Sequence, residues 1–447
     1  MPASTTEPRT APLRTAPLTA GDDALLLRLL SLPTAGPLET GAGGEVRLWE
    51  AQLAYAEAAR ELGFTVEWHG TADADELADE QVPAVVRWAV RDGGEFLASQ
   101  PSLVLRLGPP LPRSRTVMFN IHVDTVAGVQ PVSLADGRFH GRGAIDAKGP
   151  AVALLAGIRA ALDAEPAVGR EIGVLIQLVS GEEGGAMGVY GTRPLIERGY
   201  TGRLNIFCEP TGRRLLTRST AAMTARVRVA GDDSIDDAPA AGHNATVLLG
   251  HVAGHLADTL PRYATSGQVC VAGLQTGPLH NKVYGTGQLL LNLSYGSGAD
   301  GIALEEAVGH ELRLALAGFR HRFAGSELIG RTAADAEEIT TLDWLKRGLP
   351  ALESRDAWAE RLLTEEAGLE RWPADEAAFT CDAIWADGLP DGFTAVFGPG
   401  DLQRNNAHAE GEFADREELE LFAGDIARLL IAFATNDLPS TTSTSTT

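Results

Sequence analysis

The chain has 447 residues, 44% of them hydrophobic, with 37 lysines and arginines against 60 aspartates and glutamates and a net charge of −23. This length predicts two or three domains, because domains usually contain about 100 to 200 residues. The negative charge argues against nucleic acid and anionic membrane surfaces as partners. Three widely spaced cysteines indicate neither a disulfide framework nor a cysteine-zinc site, which fits a cytoplasmic protein.

Both ends of the chain have the composition of tails. Residues 1–20 are rich in Pro, Thr and Ala and lack the apolar block of a signal peptide, and Ser440–Thr447 contains only Ser and Thr. We expect residues 1–20 and 438–447 to be disordered. No stretch of the sequence approaches the roughly 20 apolar residues of a membrane span.

The first half of the chain alternates predicted helices with predicted strands. Apolar residues at helical spacing predict the helices, and short apolar or β-branched runs predict buried strands. The helices are Asp22–Leu32, Glu45–Leu62 and Ala151–Ala161, and the strands are Phe64–Trp68, Leu103–Leu107, Thr116–Val123, Ile172–Ser180 and Asn205–Phe207. This alternation predicts an α/β fold whose mostly parallel sheet is flanked by helices.

The pattern changes after residue 216. Strands are predicted at Ala222–Ala230 and Gln288–Tyr295, and helices at Thr246–Leu260 and Leu304–Leu316. We expect this α+β set, residues 217–330, to be an inserted domain. A charged stretch from residue 331, predicted to be helical, leads back to a strand at Phe393–Phe397 and a helix at Arg416–Phe433. The first domain is therefore split into residues 21–216 and 331–437.

Side chains that commonly bind metals follow the ends of successive predicted strands. They are His122, Asp124, Asp146, Glu182, Glu183, Glu209 and His408. Each alone has a plain structural explanation, such as a core histidine or a solvated turn carboxylate. Because strand ends meet at one edge of a parallel sheet, we expect them to lie together. Carboxylates mixed with imidazoles suit Zn²⁺ or a similar divalent ion, and two ions could share Asp146 as a bridge.

The order of these motifs resembles that of the co-catalytic metallopeptidases that include acetylornithine deacetylase, succinyl-diaminopimelate desuccinylase, aminoacylase and glutamate carboxypeptidase. The resemblance extends from about Leu25 to the last helix. The segment around Asp146, Gly-Ala-Ile-Asp-Ala-Lys-Gly-Pro, is also similar to the carrier-protein lysine/ornithine hydrolases. The matching motifs are His122-x-Asp124, Gly-Arg-Gly-x-x-Asp146-x-Lys-Gly, Glu182-Glu183-x-Gly, Glu209-Pro-Thr and Gly-Pro-Gly followed by Ala407-His408.

The resemblance implies a zinc-peptidase-like catalytic domain with two Zn²⁺ per subunit, for which Co²⁺ or Mn²⁺ could substitute. In such enzymes the residues that match His122 and Glu209 hold one ion. The residues that match Glu183 and His408 hold the other, and Asp146 bridges the two ions.

The remaining two acidic residues receive catalytic roles from the same resemblance. Asp124 would orient the His122 ring by fixing which nitrogen faces the metal. Glu182 would be the general base, which takes a proton from the attacking water and returns it to the leaving amine. The attacked group would be the carbonyl of an amide.

The inserted domain departs from the family pattern. In relatives it is an α+β sandwich that acts as a lid and forms the dimer, so the resemblance implies a homodimer through this domain. Relatives carry an oxyanion-stabilising histidine just before the segment Pro239–Ala245, where this chain has aspartates. His243 or His280 could replace it, although either could be an ordinary surface residue. Asn281 matches a substrate-contacting asparagine, and Ser294-Tyr295 replaces an arginine that binds the substrate carboxylate.

The sequence therefore predicts a metal-dependent hydrolase that cleaves the amide bond of a small N-acylated amino acid, dipeptide or related metabolite. Four aspartates near the predicted site would favour a substrate with a cationic amine portion: Asp232, Asp233, Asp236 and Asp237. One alternative is a catalytically altered homologue that acts as a ligand-binding or scaffold protein. Another is an acyl-transfer or amide-forming biosynthetic enzyme.

Overall fold

The structure is a computed structural model that describes residues 13–41, 43–92 and 95–436. The predicted tails at residues 1–12 and 438–447 lie outside this part of the chain. Residues 13–19 belong to the fold, contrary to the prediction of a tail. The Ala16 amide donates to the Glu420 carbonyl at 3.0 Å, and Arg428 Nη1 donates to the Leu13 carbonyl at 2.7 Å.

The helices and strands follow the predicted order closely. The longer helices are α1 (Ala20–Ser31), α2 (Leu48–Glu61), α3 (Ala84–Arg91), α4 (Lys148–Ala164), α5 (Ala245–Thr259), α6 (Gly298–Phe323) and α7 (Arg416–Thr435). The longer strands are β1 (Thr65–Gly70), β2 (Ser102–Leu107), β3 (Thr116–His122), β4 (Gly173–Val179), β5 (Leu204–Phe207), β6 (Ala221–Ala230), β7 (Val269–Gln275), β8 (Thr286–Tyr295), β9 (Thr340–Lys346) and β10 (Phe393–Val396).

Shorter elements connect these. Short helices span Pro37–Thr40, Glu95–Ala98, Thr192–Glu197, Gly330–Asp335 and Ala357–Arg361. Short strands span Ser133–Ala135, Arg138–His140, Arg214–Leu215, Arg218–Ser219, Ser234–Ile235, Lys282–Val283, Leu352–Glu353, Glu370–Arg371 and Phe413–Asp415. None of the helices in the described ranges is long and apolar enough to cross a membrane.

The large sheet has the strand order β1-β2-β4-β3-β5-β10. Strands β4, β3, β5 and β10 run parallel to one another, while β2 pairs antiparallel with both β1 and β4. Every residue of β3 and β4 is buried because both faces of the sheet are covered. On β3, Phe119 points into the core under α4 and α7, and Met118 points into the core on the opposite face. The predicted α/β fold is confirmed.

The inserted unit, residues 221–346, is built around an antiparallel sheet with the strand order β7-β8-β6-β9. Alternate residues of β6 and β8, such as Val227 and Leu291, pack against α5 and α6. Strand β9 falls in the charged stretch that was predicted to be helical, and it pairs with β6 from Val229 back to Thr224. This sheet therefore extends beyond residue 330, the boundary predicted from the sequence.

Helices α4 and α7 pack very closely against one face of the large sheet, and Gly157 permits that distance. A Cβ atom at position 157 would lie 2.5 Å from the Ala423 carbonyl oxygen and 2.8 Å from Ile426 Cβ. Because a helix backbone cannot yield as a flexible side chain does, a larger residue would push the two helices apart. The beginning of α4 would move with them, and that beginning lies next to Asp146.

We expect Gly157→Ala to destabilise the protein by about 1 to 3 kcal/mol, because it overpacks this helix contact. In an exposed helix the same change normally stabilises by roughly 0.5 to 1 kcal/mol. Gly250→Ala in α5 is the matched control, because its added Cβ would meet no atom within 4 Å. The measurement is thermal unfolding by calorimetry. Equal Tm values for both variants would contradict the close packing.

Candidate metal centre

The metal-ligand residue types predicted from the sequence meet at the carboxyl edge of the parallel strands. His122 is the last residue of β3, while Glu182 and Glu183 follow β4 and Glu209 follows β5. His408 comes from the loop after β10. These strands are parallel neighbours, so the segments leaving them converge above the sheet.

His122, Asp146 and Glu209 form the first ligand group. Nε2 of His122 lies 2.8 Å from Asp146 Oδ1 and 3.9 Å from Glu209 Oε2. One donor atom from each of the three residues lies within 4.8 Å of the others, and all three residues are buried. This spacing suits three ligands that share one cation.

Asp146, Glu183 and His408 form the second ligand group. Nε2 of His408 lies 2.9 Å from Asp146 Oδ2 and 2.9 Å from Glu183 Oε1. The imidazole of His408 is half exposed, whereas the two carboxylates are largely buried. Asp146 thus offers one carboxylate oxygen to each group, which is the geometry of a bridging ligand.

Asp124 contacts one residue of each ligand group. The Nδ1 atom of His122 lies 2.9 Å from the Asp124 backbone carbonyl and 3.6 Å from its carboxylate, so the carbonyl is the closer orienting acceptor. With Nδ1 engaged in this way, Nε2 faces Asp146. The Asp124 carboxylate also accepts a hydrogen bond from the Glu183 amide at 3.1 Å.

The centre concentrates negative charge in a buried space. Burial raises the pKa of Glu182, Glu183 and Glu209, and the neighbouring carboxylates raise it further. Burial also raises the pKa of Asp146, but hydrogen bonds from His122 and His408 outweigh it and hold that pKa well below its usual range.

The neighbouring carboxylates raise the pKa of both histidines, although burial alone would lower it. Burial lowers the pKa of His122, but Glu209 and the aspartates outweigh it and raise it well above its usual range. Hydrogen bonds to Asp146 and Glu183 raise the pKa of His408 to about 10. The carboxylates of the two ligand groups lie close together in a buried site and repel one another strongly, so a compensating positive charge is required.

Two residues beside Glu182 were not predicted from the sequence. Asp382 is buried and has a carboxylate oxygen within 4.8 Å of donor atoms of Glu182 and Glu209, and burial raises its pKa to about 6. Lys346, the last residue of β9, is half-buried. Burial lowers its pKa, although the charge of Glu182 opposes this shift. Asp382 lies in a short 3₁₀ turn and Lys346 in a mixed-polarity strand, so neither occupies a recognisable pattern.

Two of the three proposed substrate contacts, Asn281 and His280, lie exposed on the turn between β7 and β8. The third, His243, is buried inside the inserted unit. Its Nδ1 accepts from the Asp232 amide at 2.8 Å, and its Nε2 lies 3.1 Å from Asp335 Oδ2. Because both ring nitrogens are engaged there, we assign His243 a structural role and no longer propose it as a substrate contact.

A family model described as peptidase family M20/M25/M40 matches residues 118–431, well over half of the chain. The chain belongs to peptidase family M20/M25/M40. The resemblance seen in its motifs is therefore confirmed, and the protein falls among the metallopeptidases and amidohydrolases of this family.

The chain is also similar to individual proteins and solved structures. The chain is 36% identical over 132 residues to a protein from Aeropyrum pernix named as a LysW-lysine/LysW-ornithine hydrolase, a match that spans 29% of this chain and 35% of that protein. The structure resembles a tripeptidase from Staphylococcus aureus, with a TM-score of 0.65, 14% identity and coverage of 93% and 98% of the two chains. It also resembles a dinuclear metal-binding M20 peptidase from Bacillus subtilis, with a TM-score of 0.56, 12% identity and coverage of 92% and 98%.

The residues of this M20 protein fit divalent cations by their chemistry. Both groups combine one imidazole nitrogen with carboxylate oxygens, a donor set that suits Zn²⁺ and related ions. Counting Asp124 and Asp382, six acidic side chains surround two histidines, and two divalent cations would offset much of this excess of negative charge. The donor set and the charge therefore agree.

We expect cation binding to stabilise the folded protein more at higher pH. The raised pKa values of Glu183, Glu209 and His408 mean that the metal-free site holds protons that the unfolded chain has lost, so metal-free stability falls as the pH rises from about 4.5 through the raised pKa of His408, about 10. Cations displace these protons, and their affinity rises over the same range. The increase in Tm on adding Zn²⁺ to chelated protein should thus be larger at about pH 7.5 than at about pH 5.5.

His408→Ala should remove most of this pH-dependent increase, while His321→Ala, at an exposed position of α6, should preserve it. Differential scanning fluorimetry at both pH values measures the effect. An increase in Tm that is equal or larger at the lower pH would contradict the assignment.

Proposed function

We propose that this protein cleaves the amide bond of a small N-acylated amino acid, a dipeptide or a related metabolite. The observation that carries the proposal is the placement of Asp146. Its two carboxylate oxygens lie 2.8 Å and 2.9 Å from the Nε2 atoms of two different histidines, His122 and His408. One carboxylate shared between two such groups suits a pair of neighbouring divalent cations.

Two Zn²⁺ per subunit, with Co²⁺ or Mn²⁺ as substitutes, are the proposed cofactors. His122, Asp146 and Glu209 would hold one ion, and Asp146, Glu183 and His408 the other. When bound, such ions polarise an amide carbonyl and lower the pKa of a water molecule. The M20 peptidase from Bacillus subtilis is described as a dinuclear metal-binding protein, which supports this stoichiometry.

Glu182 is the proposed general base. It has no place in either histidine-containing group, but its carboxylate lies beside Glu209 and Asp382. Burial and the neighbouring carboxylates raise the pKa of Glu182 well above its usual range, which makes its carboxylate a stronger base. Glu182 would take a proton from the attacking water and return it to the leaving amine. Asp124 would keep His122 and Glu183 in position during these steps.

Ion pairs within the inserted unit bear on which substrate the protein would prefer. Two of the aspartates that were expected to attract a cationic substrate are already paired: Asp232 with Arg331, and Asp233 with Lys282 at 2.6 Å. Half of this acidic cluster is therefore neutralised within the lid. The similarity to a LysW-lysine/LysW-ornithine hydrolase nevertheless makes acyl-lysine and acyl-ornithine compounds the first substrates to assay, with acyl-glutamate for comparison.

We also propose a cytoplasmic homodimer that forms through the inserted unit. The three cysteines are unpaired, which is usual in a reducing compartment. Strands β7 and β9 are the edges of the inserted sheet, and an edge strand presents backbone groups that a second copy can bind. The negative net charge supports small-molecule substrates rather than nucleic acid or membrane partners.

Replacing Glu182 with Gln is the direct test of the proposed reaction. We expect Glu182→Gln to keep both cations and to lower kcat by roughly 10² to 10⁴-fold on the best acyl-amino acid substrate, because the base is removed and no ligand is lost. Glu197→Gln, which removes an exposed carboxylate near Arg193, is the control and should leave kcat unchanged.

Steady-state assays and metal analysis of the same preparations provide the two readouts. Near-normal kcat in Glu182→Gln would refute the base assignment. Full metal occupancy in the unmutated protein without hydrolysis of any acyl-amino acid or dipeptide would favour the binding-protein alternative.

A further inference from the structure

Glu412 is an almost fully buried carboxylate that belongs to neither ligand group. It accepts hydrogen bonds from the backbone amides of Gly143 at 3.0 Å, Ile145 at 3.1 Å and Asp146 at 3.3 Å. It also accepts one from Arg142 Nη1 at 2.8 Å. These donors belong to the loop that carries Asp146, so Glu412 fixes the backbone of the bridging ligand.

The loop that carries His408 has an unfavourable backbone. His408 and Asn406 adopt positive φ values of 62° and 52°, a left-handed conformation that costs non-glycine residues about 1 kcal/mol or more each. The His408 imidazole is also half exposed and gains little from packing. Such a loop needs bonds from the surrounding structure to hold its conformation.

Arg142 and Gln130 supply such bonds to the loop that carries His408. Arg142 Nη2 donates to the Ala409 carbonyl at 3.1 Å, and Gln130 Nε2 donates to it at 2.8 Å. Gln130 Oε1 accepts from the Gly411 and Glu412 amides, both at 3.0 Å. Arg142 therefore contacts Glu412 with one nitrogen and the His408 loop with another, which connects the two ligand-bearing loops.

Charge reinforces this arrangement. A carboxylate can accept from all four donors at once, and charge-assisted hydrogen bonds of this kind are the stronger ones. An amide in its place would have one accepting oxygen and an NH₂ group facing N–H donors.

We propose that Glu412 is a positioning residue that sets the separation between Asp146 and His408, and thereby builds the cation position formed by Asp146, Glu183 and His408. Glu412 acts through the two loops and contacts no substrate. The inference rests on the proposed metal-dependent function, but its main readout is cation binding and does not require activity.

The test is titration of the metal-free protein with Co²⁺, followed by visible absorption and by calorimetry. The second binding event here means Co²⁺ binding among Asp146, Glu183 and His408, and the first means binding among His122, Asp146 and Glu209. We expect Glu412→Gln to weaken the second event about 10- to 100-fold, as is typical when the groups that orient metal ligands are removed. The first event should change less, because His122 and Glu209 are held by other parts of the fold. Glu410→Gln, an exposed change in the same loop, is the matched control and should bind Co²⁺ as the unmutated protein does.

Arg142→Met is a second variant that keeps Glu412 in place. It should also weaken the second event, because it removes the contact to Ala409. Wild-type affinity at both positions in a folded Glu412→Gln or Arg142→Met protein would overturn the proposal. If the unmutated protein binds two Co²⁺ but hydrolyses nothing, the proposed function fails, and weaker second binding in the variants would still support the positioning role.

Discussion

Crowding of negative charge in a buried space is the constraint on which this centre depends. Asp146, Glu182, Glu183, Glu209 and Asp382 lie together at the edge of the large sheet. Isolated buried charges are expensive, so such a cluster must either bind protons or bind cations. Burial and mutual repulsion raise the pKa of the three glutamates, which favours the first outcome, and the placement of two imidazoles beside Asp146 suits the second.

The fold meets this constraint by dividing the labour between regular and irregular segments. Parallel strands deliver His122 and the glutamates to one edge, where packing on both faces of the sheet fixes the strand ends. Asp146 and His408 come from loops, which packing alone does not fix. Hydrogen bonds that Arg142 donates and Glu412 accepts hold these loops, so the precision of the centre depends on groups that are not ligands themselves.

The sequence was informative where local pattern determined structure. Apolar runs predicted the strands that carry His122 and Glu209, and the family motifs identified the remaining ligand types. Glu412 escaped notice because its role arises from bonds to residues about 270 positions earlier, which no local pattern encodes. Strand β9 has mixed polarity and a half-exposed surface, so its pairing with β6 overrode its apparent helical tendency. His243 lay in a matched segment, but only tertiary structure shows that its ring is enclosed.

Asp146 is the proposed bridge between two cations. Anomalous diffraction from zinc-loaded crystals, recorded on both sides of the zinc absorption edge, measures this directly. We expect two peaks, one among His122, Asp146 and Glu209 and one among Asp146, Glu183 and His408, with Asp146 bound to both. A single peak, or peaks that leave Asp146 bound to one ion or to none, would contradict it.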